Sequence, residues 1–363
     1  MTRVDALRAA LTADGRAEAM VVSDPSNIRW LCGFTGSSGS VVVTPGRVVL
    51  VTDGRYTDQA RRQLDEGGLY EAEVVTVTSA AGLDADVARV ASGGVVGAEA
   101  ARMSHARWDS LASTIDLVAV DGVLEQLRRV KTDGEIATIE RAASYAASAL
   151  GEVAPMLVPG VSERDIRDEL EYRMRRHGAD GPSYETIVAS GPDNAARPHQ
   201  RPTSRVLQPN DWVIIDVGAL VDGYHSDMTR TFCVGEPTEQ QQRWYAAVHE
   251  AQAAGLAAVG PGVPTAEVDA ACRAVLDAYG LGECFVHGTG HGVGLDIHED
   301  PYLGKTTTAI LAVGDVVTVE PGAYRVGVGG VRIEDLVLVT EDGHRSLTIF
   351  PKDDPCPPSP PTT

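Results

Sequence analysis

Cysteine, basic residues and long apolar runs are all scarce in this sequence, and each shortage removes a class of protein. The five cysteines, Cys32, Cys233, Cys272, Cys284 and Cys356, are odd in number and scattered, without the paired spacing of a zinc finger. Such usage suits reduced thiols in a cytoplasmic protein and not a disulfide scaffold. Lys and Arg together number 31 against 51 Asp and Glu, a net charge of −20 at pH 7. A chain this acidic repels phosphate backbones and anionic lipid, which argues against nucleic acid or a membrane as partner. No apolar run approaches bilayer-spanning length. The first residues set Val4, Leu7 and Leu11 among charges, which describes an amphipathic helix and not a signal peptide. GxGxxG and GxxxxGK[ST] are also missing, so nothing marks a dinucleotide or phosphate site.

What is present suffices for two domains, since 363 residues with 43% hydrophobic content can build substantial cores. Residues 1–122 alternate strands (Ala19–Val22, Ser40–Val43, Val48–Thr52, Val74–Val77, Val95–Gly97, Leu117–Val120) with helices (Tyr56–Leu64, Leu83–Ala91, His105–Ser113), the pattern of an α/β domain. Within it Phe34–Gly39 is a glycine-serine loop, either a surface turn or a ligand cradle. Leu124–Glu135 is charged and hinge-like, and a helix opens near Gly134. Ser162 with Asp165 forms a capping box for a helix that ends at Gly178, and Trp244–Val259 and Thr265–Tyr279 are further helices. Residues 123–352 therefore form an α+β domain of about 230 residues with helices packed over a curved sheet. The closing stretch from Pro351, and residues 353–363 above all, is too rich in proline to pack.

The chemistry gathers around Ile214–Thr231. Asp216 interrupts a β-branched run of Val213, Ile214, Ile215 and Val217 that reads as a buried strand, where an unpaired carboxylate is costly. Asp222-Gly223 is the dipeptide of a two-residue type I′ hairpin. With that turn, Val221 faces Tyr224, Asp216 faces Thr229, and Asp216 and Asp227 fall on one face as diagonal neighbours. Two carboxylates so placed repel, and a shared proton or a cation is the remedy. The other reading of this stretch makes Asp216 a bulge or cap and Asp227 a hydrophilic residue at a strand start.

Further acids repeat the fault. Glu320 ends the apolar strand VVTVE, and Glu334 with Asp335 sits inside GVRIEDLVLV. His287, His291 and His298 crowd the glycine-rich FVHGTGHGVGLDIHE, where the glycines rule out a helix, and Arg197-Pro198-His199 precedes the Asp216 strand. Asp216, Asp227, Glu320 and Glu334 with one histidine make an oxygen-dominated donor set suited to Mn²⁺, and also to Co²⁺, Fe²⁺ or Zn²⁺. Four carboxylates are better neutralised by two divalent ions than by one, as in hydrolases where a bridging water becomes hydroxide near neutral pH.

These motifs, in this order, resemble the pita-bread metallopeptidases, and among them the Xaa-Pro peptidases, aminopeptidase P and prolidase. DPSNIRWLCGFTGSSG and VTDGRYTDQA likewise resemble the creatinase-like N-terminal domain of that group. The resemblance implies a curved antiparallel sheet covered by helices behind that smaller α/β domain. It implies that Asp216, Asp227, His291, Glu320 and Glu334 hold two metal ions, with Asp227 and Glu334 bridging. His199, His287 and His298 match substrate-side histidines that contact the scissile carbonyl and its oxyanion, and Glu320 doubles as proton shuttle to the leaving nitrogen. The implied activity is release of an N-terminal residue before proline from small peptides, by a cytoplasmic homodimer. Gln200 and His249 depart from the family pattern. The full ligand set disfavours a creatine-type hydrolase. A hydrolase of a non-peptide amide, ectoine-hydrolase-like, and a peptide-binding pseudoenzyme stay open.

Overall fold

The computed structural model describes residues 2–78 and 82–356. Two compact units divide between Arg128 and Arg129.

In the first unit a mixed six-stranded sheet runs in the order Glu73–Val77, Val48–Asp53, Gly39–Val43, Ala19–Val22, Val96–Ala98, Leu117–Ala119. The helix Arg3–Asp14 buries Val4, Leu7 and Leu11 as its periodicity requires, and Thr2 and Asp5 cap it reciprocally. A helix at Pro25–Cys32 was not expected from the sequence, although its signals are local: Asp24 accepts from Asn27 N as N-cap, and Pro25 opens the first turn. Phe34–Gly39 packs inward at its start, with Phe34 buried edge-to-face on Tyr56. The charged stretch after residue 122 is no loose hinge. Val123–Arg129 is helical with Leu124 and Arg128 buried.

The second unit opens with Asp133–Val153, capped by Thr132 and Glu135, and continues with Glu163–His177, capped by Ser162 and Asp165. These helices share a core with Val213, Ile215 and Val217. Trp212 and Ile214, on the other face of the same strand, join a core with helices Glu239–Ala258 and Thr265–Ala278 and with Val317, Val319 and Val337. Alternation along one strand thus feeds two cores.

The sheet is laid down in pieces. Ile187–Ser190, Trp212–Asp216 and Thr229–Cys233 form one antiparallel group, and Glu299–Leu303, Gly290–Gly292, Val316–Val319, Asp335–Thr340 and Gly343–Ser346 form another. Thr231 ties the first group to a separate strand, Gly329–Arg332: its hydroxyl donates to Arg332 O at 2.8 Å and accepts from Arg332 N at 3.0 Å. The expectation that the chain from Pro351 would not pack fails for Pro351–Cys356. The carbonyls of Pro351, Lys352 and Pro355 accept from Arg230 Nε, the Tyr245 hydroxyl and Cys233 N at 3.0, 2.9 and 2.8 Å. Proline lacks an N–H, but its carbonyl still accepts. Residues 357–363 of the expected tail lie outside the described residues.

Candidate metal centre

The centre is assembled from strand ends and one glycine-rich turn. Asp222 and Gly223 take φ of 47° and 71°, both left-handed as the type I′ turn demands, and Val221 pairs with Tyr224. Two strand pairs later Asp216 stands opposite Thr229, as counted from the turn. Asp216 and Asp227 therefore share one space, where the Tyr184 hydroxyl meets Oδ1 of both, Asp227 at 2.5 Å. Asp227 is buried, so it is not a solvated residue at a strand start. A hydroxyl carries a single proton, so one of these two contacts needs a proton on a carboxyl. Burial, with Asp216 beside it, holds Asp227 well above the usual carboxylate range and supplies one.

His291 is presented by Gly290–Gly292, which pairs with Glu299–Leu303 and Val316–Val319. A Cβ on Gly290 would sit 2.0 Å from Thr318 O, and one on Gly292 2.4 Å from Asp300 O, so only glycines let this strand press between its neighbours. His291 Nδ1 lies 3.0 Å from Gly292 O. A carbonyl can only accept, so Nδ1 carries the proton and Nε2 keeps its lone pair. That nitrogen lies 3.6 Å from an oxygen of Asp227 and 3.6 Å from one of Glu320. Burial, together with His298, pulls the ring's pKa down to about 4, which leaves it neutral and able to ligate.

Glu320 directly follows Val316–Val319, with its N donating to Thr289 O at 2.7 Å. The stretch around Glu334 is not the one strand that its apolar run suggests. Gly329–Arg332 pairs with Gly322–Arg325, whereas Asp335–Thr340 pairs with Val316–Val319, and Glu334 sits at the crossing. The chain leaves one sheet for the other there because Glu334 turns to Thr229: N to Thr229 O at 3.1 Å, and Oε2 accepting from the Thr229 hydroxyl at 2.6 Å. Ligand atoms of Asp227, His291 and Glu334 consequently lie within 4.8 Å of one another.

Electrostatics test whether these residues suit cations. Burial followed by the charge of Asp227 drives Glu334 well above its ordinary range, and burial pushes Glu320 up to about 7. Arg332 contributes a guanidinium, with Nη2 2.6 Å from Asp216 Oδ2, Nε donating to Thr229 Oγ1 at 3.0 Å, and Nη1 donating to Pro198 O and the Tyr324 hydroxyl, each at 3.0 Å. Four carboxylates share that single guanidinium, so their repulsion is left to protons or to divalent ions. The donor set, all oxygen with one neutral imidazole Nε2, fits hard to borderline divalent ions.

His199, His287 and His298 line the same cavity, of about 450 Å³, together with Asp216, Asp227, Glu320, Glu334 and His291. The His298 ring stands 4.3 Å from that of His291. His287 is held by its neighbours. Its Nδ1 faces Gly288 O at 2.7 Å and its Nε2 faces the Tyr324 hydroxyl at 2.9 Å, so the neutral ring has both nitrogens engaged. Burial pulls its pKa down to about 4 and keeps it neutral, so as placed it offers no N–H to an oxyanion.

Three residues of the cavity region escaped the sequence reading: Tyr184, Tyr324 and Arg332. Arg332 carried a legible signal, a charge within an apolar strand two positions before Glu334, which is the same fault that exposed the acids. The tyrosines carried none, because an aromatic in a strand, as Tyr324, or in the bend ahead of one, as Tyr184, is ordinary packing.

Comparison with known proteins agrees with this geometry. Residues 137–341 match the model of metallopeptidase family M24, and residues 3–130 match the creatinase/prolidase N-terminal domain. The chain is 38% identical over 341 residues to an uncharacterized peptidase of Bacillus subtilis, YqhT, covering 93% of this chain and 95% of that one. Among solved structures, an Xaa-Pro dipeptidase from Bacillus anthracis superposes with TM-score 0.92 at 36% identity, covering 97% of this chain and 98% of the other. An X-Pro aminopeptidase from Thermotoga maritima superposes with TM-score 0.87 at 31% identity, covering 98% and 99%. The metal-suited donor set, the two matched domains and these full-length likenesses place the chain in metallopeptidase family M24, as a hydrolase with a creatinase-like N-terminal domain ahead of a pita-bread catalytic domain.

Proposed function

We propose that this protein is a metallo-exopeptidase that releases the N-terminal residue from peptides with proline in second position, using two divalent ions, Mn²⁺ foremost, with Co²⁺, Fe²⁺ or Zn²⁺ as substitutes. The observation that carries the reading is the convergence of Asp227, His291 and Glu334 within 4.8 Å, with Asp216 and Glu320 lining the same cavity. Asp227 and Glu334 would bridge, Asp216 would complete one ion's shell, and His291 and Glu320 the other's. When bound there, two divalent ions would supply Lewis acidity to the scissile carbonyl and a nucleophile near neutral pH.

The chain's own groups do the rest. Tyr184 orients Asp216 and Asp227 through its hydroxyl, which meets Oδ1 of both. Arg332 fixes the second oxygen of Asp216 and so fixes which oxygen is left for metal. Glu320, at the cavity wall, would take a proton and deliver it to the leaving nitrogen. His298 and His199 are the exposed imidazoles of the cavity and supply donors to the substrate carbonyl. His287 instead accepts from Tyr324 and holds that hydroxyl against Arg332.

Proline suits such a site because its ring nitrogen has no N–H and a bond before it cannot be gripped as part of an extended strand. The names of the similar structures support this substrate class. Purified protein loaded with Mn²⁺ is expected to cleave Xaa-Pro and Xaa-Pro-Yaa peptides and to fail when proline becomes alanine or the amino group is acetylated. The dipeptide and tripeptide arms separate a dipeptidase from an aminopeptidase. Robust cleavage of the acetylated or proline-free peptides would remove the assignment. The described cysteines form no disulfide, which fits a cytoplasmic enzyme, and the family resemblance fits a homodimer, checked by light scattering.

A further inference from the structure

His199 sits in a stretch that has little structure of its own. After the short helix Gly191–Asn194 the chain runs to Asn210 without a strand or further helix, yet it must hold Pro198 and His199 on the wall of the cavity. Loops of this length are ordered only when something outside them does the ordering.

That something is a carboxylate from another element. Glu163, in the first turn of Glu163–His177, is fully buried. Its Oε1 accepts from Ser190 N and Ser190 Oγ, both at 2.7 Å, and from Asn194 Nδ2 at 3.0 Å. Its Oε2 accepts from Thr203 Oγ1 at 2.7 Å, Thr203 N at 2.9 Å and Asn194 Nδ2 at 3.1 Å. Its backbone N donates to Arg205 O at 3.0 Å. A carboxylate buried this deeply is tolerated because these donors replace water and the helix N-terminus faces its charge. One oxygen holds the start of the loop and the other holds its end. Between the two ends the loop reaches the site through Pro198 O, which accepts from Arg332 Nη1 at 3.0 Å, and Arg332 in turn holds Asp216.

We infer that Glu163 is a positioning residue for the reaction: it clamps both ends of the 190–203 loop so that Pro198 meets Arg332 and His199 faces the substrate. The inference rests on the proposed role of His199 at the substrate. It is distinct from a merely structural role, in which the loss of Glu163 would weaken the fold whatever residue stood at 199.

A double-mutant cycle separates the two. Glu163→Gln keeps one acceptor oxygen and turns an amide NH₂ toward donors at one end of the loop, so that end is released. In the metal-loaded enzyme kcat/KM on an Xaa-Pro peptide is expected to fall by about 10- to 100-fold, the scale of a reacting group displaced by an ångström. Metal content should stay at the parent level. In a His199→Ala background the same substitution should cost a clearly smaller factor, because the group being positioned is already gone. An equal or larger factor in that background overturns the inference, and so does a folded E163Q enzyme with parental kcat/KM. If E163Q does not fold, Thr203→Val, which removes the hydroxyl that donates to Glu163 and accepts from Arg205 N and Asn194 Nδ2 but keeps the backbone donor, takes its place in the same cycle. A parent protein inactive on every Xaa-Pro peptide would sink the functional reading instead. Hydrogen exchange then carries the positioning claim without substrate: exchange faster across 190–203, with helix 133–153 unchanged, supports it, and unchanged exchange in the loop refutes it.

Discussion

Lys131 and Glu299 form a buried ion pair whose loss can be given a magnitude. Lys131 Nζ lies 2.6 Å from Glu299 Oε1, and the two side chains are 1% and 5% exposed. The ammonium also donates to Arg129 O at 2.9 Å. Lys131→Met keeps most of the side chain's bulk and removes its charge, so the penalty is chiefly a carboxylate kept out of water without its cation. Removing one partner of such a pair costs about 3–5 kcal/mol. For a unit of this size each kcal/mol moves the melting temperature by roughly 2–4 °C, so Tm is expected to fall by about 10 °C in calorimetry. Adding Glu299→Gln should restore a large part of that loss, since a neutral amide at 299 has no charge to leave uncompensated. Glu299 directly follows His298, so the surviving K131M protein should bind metal normally while kcat/KM falls. A loss of stability under about 1 kcal/mol, or a double variant as unstable as the two single losses combined, would refute the assignment of this pair as a buried charge pair.

Other consequences are quicker to test. Asp227→Asn is expected to lose bound metal and turnover together while circular dichroism stays native, because a bridging carboxylate loses its charge; parental metal content in the variant would contradict the ligand assignment. His291→Ala should lower metal occupancy in elemental analysis, whereas His298→Ala should lower kcat with metal retained. Equal metal loss in both would erase the distinction between the two rings. Tyr184→Phe removes the hydroxyl that meets Asp216 and Asp227, and metal affinity by titration calorimetry should weaken about 10- to 100-fold with the fold intact. Burial pushes Cys32 up to about 11 and Cys272 up to about 12, so at pH 8 both stay as thiols. Alkylation of native protein should therefore mark the partly exposed Cys356 first, and fast labelling of Cys32 or Cys272 would contradict the packed cores around them.

How far the sequence could be read depended on whether a residue's signal was local. Ser162 stands with an acid three residues on, so its capping box announced itself, the boxes at Thr2 and Thr132 emerged only in the structure, and Asp222-Gly223 announced its turn and with it the register that brings Asp216 and Asp227 together. The helix at Pro25–Cys32 has equally local signals, but its eight residues are too few to show a helical period. The switch at Glu334 was illegible for a different reason: GVRIEDLVLV is uniformly apolar around its charges, and no periodicity says that two sheets share it. The Pro351–Cys356 segment was misread because proline content speaks of missing donors, whereas this segment is held through its carbonyls.

The ligands and the residues that orient them differ in the same respect. A carboxylate inside a β-branched strand is conspicuous because burial alone makes it expensive, whatever surrounds it, so Asp216, Glu320 and Glu334 could be picked out one at a time. Glu163 is just as buried but stands in a helix's first turn beside Ser162 and Asp165, where an acid is ordinary. Its function lies in the Ser190, Asn194 and Thr203 donors that reach it from a loop well removed in sequence. Tyr184 and Arg332 are likewise defined by what they touch. A sequence therefore betrays the groups whose chemistry is costly in place, and hides those whose cost has already been met by partners elsewhere in the chain. For this protein the hidden set, Tyr184, Arg332 and Glu163, holds Asp216, Asp227 and the two ends of the loop that carries His199.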